Sequence, residues 1–267
     1  FYKGHKALHE RAFDINHKDL FKDKVKDRNC FSPEPYRVWE YYNQKASLSQ
    51  AFDIAINNKG LRDVPKPQIN LSADEYFGGI ELIKEVKTKT SKSKTLVIQP
   101  FGRTSDFIGT IRKDNSGRSL STSDAIAIIK QLQKAYGVIL MTESPIDFEA
   151  NNVKDLIATP QNITLGQWAG IISEADYFVG IDSVGQHLAN ALGKKATVII
   201  SATYPVNVSY PNNKGFNILD LGGDRRKYDP IRICMDEVAA RNNESLMQLN
   251  DKVIDYIVQS IKTHIEK

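Results

Sequence analysis

The 267-residue sequence predicts an α/β fold, a parallel sheet with helices on both faces. Three observations point there. From Thr95 onward, short apolar, β-rich runs alternate with amphipathic helical stretches. Two of those helical stretches open at capping-box spacing, Ser121 with Asp124 and Thr164 with Gln167. Finally, the polar hexapeptide Asp182 to His187 separates the apolar run Tyr177 to Ile181 from a small-residue helix and a second apolar run. Strand, short helix and strand in that order normally make a parallel βαβ unit.

The elements follow in chain order. Residues 1 to about 70 are rich in aromatic, Lys, Asp and Asn residues, with a Pro-broken segment and then a helix expected over about Tyr36 to Asn58. RDVPKPQINLSADEYFGGIELIKEV reads as a Pro-containing connector followed by a helix. Lys87 to Lys94, KTKTSKSK, reads as a solvated basic loop, with a phosphate or membrane patch as its functional alternative. TLVIQ, from Thr95, is a strand. Pro100 to Ser123 is a long loop, in which Gly102, Gly109 and Gly117 give freedom and Arg103, Arg112, Lys113 and Arg118 give charge. The helix after Ser121 has Ile126, Ile129 and Leu132 on one face. GVILMT, from Gly137, is a strand, and a helix opens at Thr164. Tyr177 to Ile181 and Ala196 to Ile200 are buried strands, and the helix between them stops at Gly193. Leu221 to Asp224, LGGD, is a turn, with a ligand loop as the alternative. The closing helix is expected over about Asn243 to His264, with Leu246, Leu249, Val253, Ile257 and Ile261 on its apolar face.

The composition excludes several classes. A net charge of +4 is too mild to imply nucleic acid, but it is compatible with an anionic small ligand or an anionic membrane surface. Two cysteines, Cys30 and Cys234, form no disulfide framework and point to a reducing compartment. No apolar run approaches a membrane span, and no signal peptide is visible. Walker A, G-x-G-x-x-G, H-E-x-x-H, C-x-x-C and G-x-S-x-G patterns are all missing. His5, His9 and His17 match no strong metal-binding spacing, so no metal is expected.

Two stretches carry the candidate site. Asp182 to His187 lies where a buried strand ends and a helix begins, the edge at which open α/β sheets bind ligands. A helix N-terminus there suits a phosphate, Gly185 admits a close backbone approach, and His187 lies in the first turn. The same residues admit a structural reading, with Asp182 or Ser183 as N-cap and His187 as a satisfied histidine. Arg118 lies just ahead of the helix at Ser121, where its guanidinium could pair with a phosphate or simply sit in a solvated loop. Together the stretches outline a diphosphate site between two helix N-termini.

ADYFVGIDSVGQHLANALGKKATVII, residues 175–200, resembles the strongest signature of glycosyltransferase family 9, the heptosyltransferase-like enzymes, which reads roughly G-x-D-[ST]-G-x-x-H-x-x-A-A-L-G. TLVIQPFGRTS, GRSLSTSDAIAIIKQL, NITLGQWAGIISEADYFVG and the terminal stretch from Ile231 extend the resemblance over most of residues 95–265. The resemblance implies a GT-B fold, two Rossmann-like domains with the active site in their cleft. Here residues 1–85 would be a partial N-terminal, acceptor-side domain with its linker, and residues 86–267 the nucleotide-sugar-binding domain.

It further implies inverting, metal-independent transfer of a heptose-like sugar from a nucleotide-diphosphate donor, ADP-linked among the candidates, to a glycan or lipopolysaccharide-type acceptor. No cofactor is expected. The implied location is cytoplasmic, with peripheral contact at an anionic membrane face, and nucleic acid is not an expected partner. By the resemblance Asp182, Ser183, Gly185 and His187 would line the donor diphosphate and sugar, and Arg118 would replace the family's phosphate-binding Lys. Gly102, Arg103 and Thr104 would form the first phosphate loop, with Thr142, Glu143 and Thr164 as weaker nucleoside candidates.

The chain departs from the pattern in places. Val184 stands where the family has Gly, the segment Ser105 to Gly117 is long, and the Gly-Asp loop that carries the family's general base has no counterpart. The catalytic base is therefore unassigned. A sugar-nucleotide epimerase or hydrolase, or a non-catalytic nucleotide-sugar-binding module, remains an alternative reading.

Overall fold

The computed structural model describes residues 8, 11, 13, 16–102, 105–108, 111–114, 116–142, 162–227 and 244–267. Its centre is a five-stranded, fully parallel sheet: β1 (Thr95–Gln99), β4 (Gly137–Leu140), β5 (Tyr177–Ile181), β6 (Ala196–Ile200) and β7 (Phe216–Asp220), in the order β4-β1-β5-β6-β7. The register pairs Val97 with Ile139 and Phe178, and Val179 with Thr197. Alternate residues supply two cores. On one face Leu96, Ile98, Tyr177, Val179 and Ile181 pack against α4 (Thr122–Leu132) and α8 (Asp251–Glu266). On the other, Val97, Ile139, Phe178 and Val198 pack against α3 (Ala73–Thr90), α5 (Leu165–Glu174) and α6 (Val184–Ala191). This two-sided burial is why the strands read as continuous apolar runs. The expected α/β fold with helices on both faces is thus the observed one.

Several local expectations change. The single helix expected over about Tyr36 to Asn58 is three pieces: a 3-10 turn at Pro35–Arg37, α1 (Trp39–Tyr42) and α2 (Leu48–Asn57). A full capping box at Ser47 and Gln50 starts α2 afresh, which breaks the run. Lys87 to Lys94 is not a loop throughout, because α3 runs through Lys87 and Lys89 and ends at Ser91 in the left-handed region (φ 54°). Lys89 pairs with Glu85, and Lys87 lies 3.4 Å from Asp176. The loop from Pro100 to Ser123 contains an antiparallel hairpin, β2 (Ser105–Ile108) with β3 (Ile111–Asp114). Ser121 caps α4 by accepting the Asp124 N–H at 3.0 Å, but the reciprocal half of the box is missing, since an Asp side chain is shorter than the usual Glu or Gln.

The closing helix begins later than expected, at its N-cap Asn250. Leu246 lies in a preceding 3-10 turn, and the buried face is Ile254, Ile257, Val258 and Ile261. A polar network ties its end to the sheet: Tyr177 bonds Thr197 at 2.7 Å and the His264 ring, and Asn217 donates to Thr197 and to Ser260. Burial pushes the Tyr177 hydroxyl well above its ordinary pKa, so the group acts as a neutral hydrogen-bonding hub.

Residues 16–72 form helices and turns. This arm rests on the sheet domain through Asn207 of α7 (Pro205–Val208), whose amide donates to the carbonyls of Tyr41 (3.0 Å) and Ala46 (2.8 Å). Arg62 forks onto Asp53 to close the arm on itself. α3 continues through residue 85 and packs against α5, on the sheet side of the molecule.

Candidate functional site

The strand order locates the crevice. The chain leaves β1 for the edge strand β4, then crosses back to β5 on the other side of β1. The connections after β1 and β5 therefore diverge, and ligands of open α/β sheets bind at such a switch point. The loop after β1 holds Gly102 and Arg118, and the turn after β5 holds Asp182 and Ser183. The two stretches singled out in the sequence thus face each other.

Asp182 is the centre of the arrangement. Its side chain is nearly fully buried, with the residue 6 % exposed. The hydroxyl of Thr203 donates to Oδ2 at 3.0 Å and the amide of Gln186 to Oδ1 at 3.3 Å. The Arg118 guanidinium lies 3.6 Å from Oδ2 and donates to the Asp182 carbonyl at 3.3 Å. A buried carboxylate needs such partners, because losing its hydration is costly. Gln186 is itself held, donating to the Val208 carbonyl and accepting from Ser209 at 2.7 Å. Asp182 therefore joins α6, the segment 203–209 and the Arg118 loop.

Arg118 is aimed by its own loop. Its Nε donates to the Ser116 hydroxyl at 2.9 Å, and Ser116 bonds Asp114 Oδ1 through both hydroxyl and N–H. Asp114 Oδ2 also accepts the Ser119 N–H at 3.0 Å and the Ser119 hydroxyl. Ser119 Oγ in turn accepts the Gly102 N–H at 2.9 Å. Ser201 donates to the Gly117 carbonyl at 2.9 Å. The Arg118 side chain keeps 24 % of its surface exposed, and Nη2 has no partner among the described residues. It is a cation fixed in direction with one edge available to an anion.

The N-terminus of α6 is organised by a residue that sequence reasoning did not single out. Gln99, the last residue of β1, accepts the Gly185 N–H at 2.8 Å and donates to the Ser183 hydroxyl at 3.2 Å. Its one visible signal was an amide ending an apolar buried strand. Ser183 is the N-cap residue by position, but its side chain makes no capping bond. Gly185 has a packing reason: a Cβ there would overlap the Phe178 ring and Gln99 Oε1, both on the inner side of the helix. Gly102 has room for a Cβ, with its nearest neighbours at 3.7 Å.

His187 sits on the outer flank of α6, where Nδ1 meets the Tyr210 hydroxyl at 2.8 Å and the rings pack edge to face. Surrounding protein lowers its pKa, against the opposing pull of Asp182, although the residue as a whole is exposed. Thr164 spends its hydroxyl as N-cap of α5, accepting the Gln167 N–H at 3.2 Å in a full capping box. Thr142 follows β4, on the far side of β1 from β5. Arg103, Thr104 and Glu143 lie outside the described residues, as do His5 and His9. His17 is exposed and bonds Asp23 at 3.1 Å. LGGD forms a bend and a 3-10 turn, with Gly223 at φ 44°.

Fold and site together define a doubly wound α/β domain with an anion-ready crevice at its switch point. The solved structure of a glycosyltransferase of family 9 from Veillonella parvula DSM 2008 is similar to it, with a TM-score of 0.56 and 11% identity over 92% of this chain and 64% of that one. The E. coli ADP-heptose lps heptosyltransferase II matches with a TM-score of 0.49 and 15% identity, covering 82% of this chain and 62% of that chain. The E. coli heptosyltransferase WaaC with ADP matches at 0.47 and 15%, covering 81% and 56%. This chain therefore spans less than two thirds of the length of the solved structures it matches. No protein-family model and no curated protein matches it. What is shared at this level of identity is the fold.

Proposed function

We propose that the chain is the donor-binding part of an inverting, metal-independent glycosyltransferase of the family 9 kind. It would transfer a heptose-like sugar from a nucleotide-diphosphate donor to a glycan or lipopolysaccharide-type acceptor. The observation that carries this reading is the Arg118–Asp182 clasp beside the N-terminus of α6, across the β1/β5 switch point. Glycosyl transfer from such a donor needs a stabilised diphosphate leaving group. A fixed guanidinium and a helix N-terminus supply positive field at that place without further reorganisation. Arg118 would pair with a phosphate oxygen, and the α6 backbone would take another. Asp182 acts by holding both in register, since its oxygens are occupied by Thr203, Gln186 and Arg118. The general base is not assigned to any described residue.

The test is a calorimetric titration of the chain with ADP, UDP and GDP, with magnesium and again with EDTA. Binding of one nucleotide, equal in both conditions, is the expected result and names the donor class. Binding that requires magnesium would overturn the metal-independent part. Failure of all three nucleotides to bind would overturn the donor-site reading. Binding with no sugar release or transfer from the matching nucleotide sugar would favour a non-catalytic module.

A glycolipid-type acceptor suits a cytoplasmic protein in peripheral contact with an anionic membrane. Exposed Phe21 and Phe31 flank a segment in which Lys22, Lys24, Lys26 and Arg28 outnumber Asp23 and Asp27, exposed Trp39 follows in the same N-terminal arm, and no helix among the described residues is long and apolar enough to cross a membrane. The chain is expected to co-sediment with phosphatidylglycerol-containing vesicles at low salt and to be released by Phe21→Ser with Phe31→Ser. Equal recovery with neutral vesicles would count against this contact.

A further inference from the structure

Leu221 to Asp224 and the arginine that follows build a cradle beyond the ends of β6 and β7. Arg226 carries its charge into the interior, with 3 % of its side chain exposed. Its Nε donates to the Ser201 carbonyl at 2.7 Å, and its Nη2 donates to Asp220 Oδ1. The guanidinium also lies 4.7 Å from the centre of the Tyr204 ring. Asp220, the last residue of β7, is aimed by the N–H groups of Gly222 (3.1 Å) and Gly223 (3.2 Å), which donate to the same Oδ1. Gly222 is needed for the fit, because a Cβ there would overlap the Ser201 carbonyl and the Arg226 guanidinium. A planar fork between two acceptors and a ring fixes their relative places, which a flexible ammonium does not.

The cradle grips the segment Ser201 to Tyr204, which joins β6 to α7 and belongs to no helix or strand. Side chains must therefore hold it. Ser201 is fixed twice, by Arg226 at its carbonyl and through its hydroxyl, which donates to the carbonyl of Gly117, the residue before Arg118. Thr203 sits between the two residues that Arg226 touches, and its hydroxyl donates to Asp182 Oδ2 at 3.0 Å. One gripped segment thus reaches both halves of the clasp. We infer that Arg226 is a positioning residue that, through Ser201 and Thr203, holds Arg118 and Asp182 in register across the switch point. Its effect on a ligand rests on the donor-site reading, whereas the positioning itself does not.

The test is a proton–nitrogen NMR spectrum of the full chain with 15N-labelled arginine, in which the Arg118 Nε–H signal is assigned by its loss in Arg118→Lys. That N–H is bonded to Ser116 and should exchange slowly with water. Arg226→Met removes the guanidinium, yet Asp220 keeps the Gly222 and Gly223 N–H groups and has 33 % of its side chain in solvent, so the fold should survive. The Arg118 signal should then shift and exchange faster. Arg226→Lys keeps the charge beside Asp220 and is the second variant if the first does not fold. It should recover melting temperature and leave the Arg118 signal altered. A lowered melting temperature with an unchanged Arg118 signal would make Arg226 merely structural and overturn the inference. Nucleotide titration is the separate second arm. Arg226→Met and Thr203→Val should each weaken binding about 2- to 10-fold, the worth of one net hydrogen bond. The double variant should bind no worse than the weaker of the two, since both changes release the same contact to Asp182. Fully additive losses would overturn the coupling. An altered Arg118 signal with no nucleotide bound by any form would leave the positioning standing and sink the donor-site reading alone.

Discussion

Arg118→Ala is expected to reduce nucleotide affinity by about 10- to 100-fold, the usual worth of hydrogen bonds to a charged partner. It should also lower thermal stability. Removing one member of a buried ion pair leaves the other desolvated and unbalanced, at about 3–5 kcal/mol for a fully buried pair. The cost here should be smaller. A quarter of the Arg118 side chain is in solvent, and Thr203 and Gln186 still donate to Asp182. Arg118→Lys separates the two roles. An ammonium keeps the charge near Asp182 but cannot reach Ser116, the Asp182 carbonyl and a ligand at once with a planar fork. It should recover much of the stability and little of the affinity. Melting temperatures measured beside calorimetric titrations decide this. Wild-type affinity in a folded Arg118→Ala protein would remove Arg118 from the ligand site.

The second large effect concerns two adjacent glycines. Gly78 and Gly79 are consecutive on α3, and their substitution by alanine should move stability in opposite directions. A Cβ on Gly79 would run into the carbonyl of Gly170 on α5, backbone against helix backbone. Across the same contact, a Cβ on Gly170 would strike the Glu75 carbonyl and one on Gly166 the Glu75 side chain. The helices cross this closely only because neither carries side chains there. Gly79→Ala must push them apart, and about 3 kcal/mol is expected, at the upper end for overpacking. For a chain of this size that is a fall of roughly 6–12 °C in melting temperature. A Cβ on Gly78 meets nothing within 4 Å. Gly78→Ala therefore removes helix-interior flexibility without a clash and should stabilise by about 0.5–1 kcal/mol. Thermal denaturation of the two variants gives the signs directly, and equal shifts would refute the close crossing.

Legibility followed the strength of local signals. β1, β4, β5 and β6 lie between helices on both faces, so each is a run of apolar residues that stands out by itself. β7 went unnoticed because only Phe216 and Leu219 are buried in it and the residues between them are half-buried. The β2–β3 hairpin was hidden by its charge, since SDFI and IRKD show no regular alternation. The break between α1 and α2 needed the Ser47–Gln50 capping box to be recognised inside a helical-looking stretch.

The site divides in the same way. Its positions at strand ends could be read from the order of elements, and so could the helix N-terminus after Asp182. The partners could not. Gln99 was read as strand, yet it anchors Ser183 and Gly185 from 84 and 86 residues away. Gly185 was read as clearance for a ligand, and its inner face is filled by Phe178 and Gln99. Tyr210 carried no signal at all before its ring was seen against His187.

By itself, the sequence determined the class of fold, four of the five strands of the parallel sheet, the helix starts at Ser121 and Thr164, and the two stretches that hold the candidate site. Each of these is written in residues within a turn or a strand of one another, where period and capping operate. Only the tertiary structure decided the order β4-β1-β5-β6-β7, the meeting of Arg118 with Asp182 across 64 residues, and which of two neighbouring glycines is needed. Those depend on which surfaces come into contact, and contact between distant segments is settled by packing the whole core rather than by any local run.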